Sequence, residues 1–198
     1  MQVESLAFRT DLALAELAGS LVEDHGSFVA IRTPGNPTYR WGNFLLLPRA
    51  PSAAELPDWQ QTFARVLPGI EHRTFGIATA HGGLADLAPC AEAGFDIEAA
   101  TVMTATAVHE PPRPNREATY RRLVSDADWE QQVGLRADEE SDDSHEFVVA
   151  KVAGERRTVE SGAGAWWGAF LGDRLVSSMG LVAASPGLAR FQQVQTHP

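Results

Sequence analysis

A chain of 198 residues has room for one large or two small domains. With 44% hydrophobic and 21% charged residues it has the composition of a folded globular protein, not of a disordered or fibrous one. A net charge of -10 repels a nucleic-acid backbone or an anionic membrane, and the basic pairs Arg121–Arg122 and Arg156–Arg157 are too short to overcome that field.

The N-terminus has no basic stretch followed by an apolar core, and no run anywhere approaches the roughly 18 apolar residues of a membrane span. Export and membrane insertion are therefore not expected. From Thr10 and Asp11, apolar residues Leu14, Leu17, Ala18 and Leu21 recur at helical spacing and predict a helix ending near Glu23. FVAIR then leads through the turn-rich segment 33–37 into YRWGNFLLL, residues 39–47. Both sides of that stretch are largely apolar, as in an interior strand.

Ser52 and Glu55 have capping-box spacing ahead of Leu56, Trp59, Phe63 and Val66, which predicts a second helix stopping at Pro68 and Gly69. Strand RTFGIAT follows, then a helix over 84–93 closed by Gly94 and an extended run from Ile97 to Val108. The lone cysteine, Cys90, allows no internal disulfide, fits a cytoplasmic protein, and sits in an alanine-rich helix as a small core residue. Alternation of strand and helix predicts an α/β fold, a mixed sheet with helices on both faces.

HEPPRPNRE, residues 109–117, reads as a linker between a domain over 1–108 and a second over 118–198. The second domain opens with strand ATYRRLV and a helix starting at Ser125 or Asp126. A further helix follows in which Val148, Val152, Glu155 and Val159 share a face and Gly162 provides the stop. AWWGAFL and RLVSSMGLVA flank the hairpin turn Gly172–Asp173, with Trp166 and Trp167 on opposite faces, and ARFQQVQ forms the last strand.

The second unit, strand–helix–helix–hairpin–strand, resembles the opening half of a domain of the GNAT acyltransferase superfamily. The first unit, with YRWGNFLLL, a helix, RTFGIAT, a helix and AEAGFDIEAATVMTA, resembles the later half of the same fold. In the first unit PRAPSAAELPDW stands where the family has a glycine-rich loop, which makes it a degenerate domain of a tandem protein. The ending FQQVQTHP resembles the stretch before the family's pyrophosphate loop, Arg/Gln-x-x-Gly-x-Gly/Ala, and the chain ends ahead of that pattern. A second domain that is cut short is the implied consequence.

This resemblance implies an N-acyltransferase that moves an acetyl group from acetyl-CoA to an amine acceptor, a small molecule or a peptide. It further implies that Val194, Gln195 and Thr196 pair with the pantetheine arm along a strand splayed from a parallel neighbour. Such chemistry needs an N–H aimed at the thioester oxygen, a base for the ammonium proton and an acid for the thiolate. Where the family often has a glutamate base, this chain has Gln192 and Gln193, which cannot ionise. The two tyrosines, Tyr39 and Tyr120, lie in predicted strands with packing roles, so no catalytic residue is assigned. The acidic run 138–143, between the two helices, is placed by resemblance to attract a cationic amine.

Other constellations point away from other chemistries. Six scattered histidines, with His145–Glu146 lacking a second histidine, give no metal motif. Gly162, Gly164 and Gly168 have the wrong spacing and order for a dinucleotide loop, and no Gly-x-Ser-x-Gly elbow is present. The alternative function is a non-catalytic binding or assembly module built on the same scaffold. Because one unit supplies later-half and the other early-half elements, a composite sheet within one chain or between two is also expected. ARFQQVQ would otherwise expose an edge that invites a homodimer.

Overall fold

The computed structural model describes residues 1–139 and 144–197. It is an α/β protein whose chain divides into two compact units, one formed by Met1–Glu16 and Ser20–Met103, the other by Leu17–Gly19 and Thr104–Pro198. Residues 109–117 are exposed and lie outside regular secondary structure. The strands form two separate four-stranded sheets, so the expected composite sheet within the chain is not made.

In the first unit, strands β1 (Leu21–Asp24), β2 (Val29–Arg32), β3 (Phe44–Leu47) and β4 (Phe75–Ile77) lie in that order. The first two pairings are antiparallel and β3–β4 is parallel. Helix α1 (Leu6–Leu17) precedes β1, and helix α2 (Leu56–Val66) makes the crossover between the parallel strands. All four residues of β3 are buried, because α2 and α1 cover opposite faces of the sheet. Leu45, Leu47, Phe63 and Leu67 pack on the α2 side. Ile31, Phe44 and Leu46 pack with Phe8 and Leu12 on the other.

Three expectations fail here. The helix predicted to run to Glu23 ends at Leu17, because Gly19 turns the chain at φ 93 and frees Leu21 and Val22 to pair with Arg32 and Ile31. The strand predicted over 39–47 starts only at Phe44. Asn43 holds the preceding segment in a turn: its Nδ2 donates to the carbonyls of Asn36 and Tyr39, both at 2.9 Å, while its Oδ1 accepts from the Thr33 N–H at 2.9 Å. A short helix α3 (Ala88–Glu92) carries the buried Cys90, whereas the run 97–108 forms no strand and leaves Val102, Met103 and Val108 exposed.

In the second unit, β5 (Thr119–Arg122), β6 (Gly164–Leu171), β7 (Arg174–Ser185) and β8 (Leu188–Thr196) form an antiparallel sheet in chain order. Helices α4 (Asp126–Glu139) and α5 (His145–Glu160) follow β5. Their buried faces, Trp129, Gln132, Leu135 and Arg136 on α4 and Val148, Val152, Glu155 and Thr158 on α5, cover the sheet face that carries Trp166, Phe170, Ser178 and Val182. Trp167, Leu181 and Phe191 remain exposed on the opposite face. Tyr120 is also exposed, its hydroxyl donating to the Asn115 carbonyl at 3.0 Å, so it has no packing role; Tyr39 precedes a short 3-10 turn.

The start of α4 is fixed by a reciprocal cap. Ser125 Oγ accepts from the Asp128 N–H at 3.2 Å, and Asp128 Oδ2 accepts from the N–H groups of Ser125 and Val124 at 3.0 and 2.9 Å. Arg121 on β5 donates to the other carboxylate oxygen at 2.7 Å, tying strand to helix. That guanidinium, aided by the two backbone N–H groups and opposed by burial, holds the Asp128 carboxyl well below the usual carboxylate range.

Candidate functional site

β8 is the last strand of its sheet, and a bulge interrupts it. Gly180 pairs with Gln192 and Ser178 with Gln195, so Gln193 and Val194 together oppose the single residue Met179. Gln193 takes φ 47, and it is the one non-glycine residue with positive φ among those described. For a glutamine that conformation costs about 1–2 kcal/mol and persists only where surrounding contacts enforce it.

Those contacts come from the helices. Arg136, fully buried on α4, donates through Nη1 to Gln193 Oε1 at 2.8 Å and through Nη2 to Glu155 Oε1 on α5. Gln132, one turn earlier on α4, donates through Nε2 to Glu155 Oε2 at 3.2 Å. The ion pair thus bridges both helices and reaches the strained residue of the bulge. Burial removes most of the solvent screening that makes surface pairs weak, so each partner depends on the other.

The bulge also resets side-chain parity along β8. Without it, alternation would place Gln193 and Gln195 on one face; with it, Gln192 and Gln195 share the face opposite Gly180 and Ser178. Gln195 is 4% exposed beneath the helices, while Val194 is 67% exposed. Thr196 is exposed and its hydroxyl lies 3.2 Å from that of Ser177, which itself donates to the Gln195 carbonyl at 2.7 Å. The three residues assigned by resemblance to the pantetheine arm are therefore consecutive, starting in the bulge at Val194, on a strand that pairs on one side only among the described residues. Among the described residues β8 pairs with β7 alone, and that pairing is antiparallel.

Other sequence expectations meet the structure unevenly. Residues 140–143, most of the acidic run, lie outside the described residues. Among the described residues, no three His, Cys, Asp or Glu side chains converge as a metal ion would need, and no helix is long and apolar enough to cross a membrane. Arg136 and Gln132 were not singled out by sequence, although Trp129, Gln132 and Arg136 fall on one helical face at i, i+3 and i+7. Glu155 was visible as a carboxylate inside an otherwise apolar stripe. A charged residue at each of two facing stripes is the signal for a buried pair.

No family model matches the chain, and no curated protein matches it. It is similar to a solved structure, the crystal structure of a functionally unknown conserved protein from Staphylococcus epidermidis ATCC 12228. The TM-score is 0.60 at 10% sequence identity, over 91% of this chain and 73% of that one. At that identity the likeness shows the α/β fold alone.

Proposed function

We propose that the chain is a GNAT-type N-acyltransferase that uses acetyl-CoA to acylate an amine, with β8 of the second unit as the donor-binding strand. The observation that carries this is the bulge at Gln193–Val194 in a strand with an open edge. Pantetheine is an extended chain bearing two amides, which can pair with an exposed strand edge as a peptide would. A bulge leaves backbone groups outside the ladder, where an N–H can meet a thioester oxygen and stabilise the charge that develops on it. The strand order β5–α4–α5–β6–β7–β8 supports the same reading. Pantetheine is the part of the donor that β8 suits. A cytoplasmic location goes with this reading and with the single buried thiol.

Within such a site the chain's own contribution is positional. Gln193 accepts a hydrogen bond from Arg136 without ionising, and Glu155 is engaged by Arg136 and Gln132. Gln192 and Gln193, which cannot ionise, favour a second reading, a non-catalytic module that binds an acyl-CoA or a peptide along β8. Isothermal titration of the chain with acetyl-CoA, followed by assay of thiol release with a panel of amines, separates them. Saturable binding with thiol release supports the transferase, and binding alone supports the module. Absence of binding overturns both acyl-CoA readings.

A further inference from the structure

Four side chains behind β8 are each more than nine-tenths buried and yet keep polar atoms with no hydrogen-bond partner: Gln132 Oε1, Trp166 Nε1, Ser178 Oγ and both amide atoms of Gln195. Buried polar groups almost always find partners, and each orphan lowers a folding constant by roughly one to two orders of magnitude. Several together would cancel much of the stability of an ordinary domain. The residues that carry them are close in the fold. Ser178 and Gln195 are direct partners across β7 and β8, and Trp166 pairs with Gly180, two residues along β7 on the same face. The Trp166 ring lies over Gly180 and 6.4 Å from that of Trp129, and Gln132 follows Trp129 by one turn on the inward face of α4.

The chemistry of the set narrows what it can hold. The indole N–H and the Gln195 amide nitrogen donate, Gln132 Oε1 and Gln195 Oε1 accept, and the Ser178 hydroxyl does either. A guest must therefore both donate and accept. An uncharged guest suits the set, because none of these orphaned atoms belongs to an ionisable side chain. It must also be small, because apolar Leu175 and Val182 share this face with the strands closed around it. Water meets all three conditions, with the two to four polar partners that an internal water requires.

We propose that Gln132, Trp166, Ser178 and Gln195 form an internal water site behind the bulged strand. Gln132 links it to the ion pair, its nitrogen donating to Glu155 and its oxygen accepting from the water. The strand proposed to bind the donor is then joined to α4 through water as well as through Arg136. This inference rests on the orphaned atoms and stands whether or not β8 binds acyl-CoA.

The test is oxygen-17 magnetic relaxation dispersion of the whole chain in labelled water, comparing wild type with the Ser178→Ala, Gln195→Met double variant. The wild type is expected to show more long-lived water than the variant, and the variant to unfold about tenfold more readily, since bridging bonds are lost. Equal dispersion, or a variant that is more stable than wild type because orphans were deleted, overturns the proposal. Should the double variant not fold, Ser178→Ala alone removes one oxygen and gives the same pair of readouts.

Discussion

Replacing Glu155 by Ala removes a carboxylate paired with a guanidinium that has no solvent access. The hydrogen bond from Arg136 to Gln193 Oε1 is to an uncharged group. Breaking a buried pair from one side costs about 3–5 kcal/mol. Against a total stability of about 5–15 kcal/mol, that is a large share. With a denaturant slope of about 1–3 kcal/mol per molar in urea, the midpoint of the second unit should fall by about 2 M. Hydrogen exchange followed on peptides of α4 and α5 during urea titration reads that unit by itself. The companion variant Glu155→Leu with Arg136→Met removes both charges and should return to within about 1–2 kcal/mol of wild type, since well-packed apolar replacements of such pairs are close to neutral. A loss under about 1 kcal/mol for Glu155→Ala, or a double variant worse than the single one, would refute the buried-pair reasoning.

At Gln193, Ala and Gly both delete the amide that meets Arg136, but only Gly tolerates φ 47 without strain, so Gln193→Gly should be more stable than Gln193→Ala by about 1 kcal/mol in chemical denaturation. A Cβ added at Gly180 would sit 2.5 Å from Trp166 Cζ3, so Gly180→Ala should displace the indole, alter the near-ultraviolet circular dichroism and cost about 1–3 kcal/mol. Asp128 has a folded-state pKa depressed by Arg121 and by backbone N–H groups, so its contribution is present above the unfolded value of about 4 and is lost as pH falls through the folded value below it. The stability gap between wild type and Asp128→Asn, about 1–2 kcal/mol at pH 7 once the half-exposed Arg121 is discounted, should therefore narrow progressively as pH falls below about 4 in acid titrations. An open β8 edge beside exposed Phe191 and Val194 should favour pairing with a second copy, so sedimentation velocity should show dimer rising with concentration and falling when an added Lys replaces Val194.

Much of the second unit was legible because its signals are local. Gly162 follows α5 at φ 79, Gly172–Asp173 sits between β6 and β7, and Trp166 and Trp167 divide between buried and exposed faces as strand alternation requires. The first unit was legible where apolar runs are continuous, as in β3, and misleading where helical spacing continued by chance beyond the turn at Gly19. No periodicity reveals that Leu21 will find a strand partner eleven residues later. The site was less legible than the fold. Gln193 has no sequence signature for a bulge, since the positive φ is imposed by Arg136 and by the register of β7, both distant along the chain. Likewise, Glu155 announces burial by its apolar neighbours, but its partner 19 residues earlier is known only once α4 and α5 pack.

Amide hydrogen exchange of β8 with and without acetyl-CoA bears most directly on the proposed donor strand. Slowed exchange at Val194, Gln195 and Thr196 that saturates with acetyl-CoA, and is absent with acetate or adenosine diphosphate alone, is the expected result. Unchanged exchange along β8 at saturating acetyl-CoA would contradict the assignment of this bulged edge as the strand that holds the acyl donor.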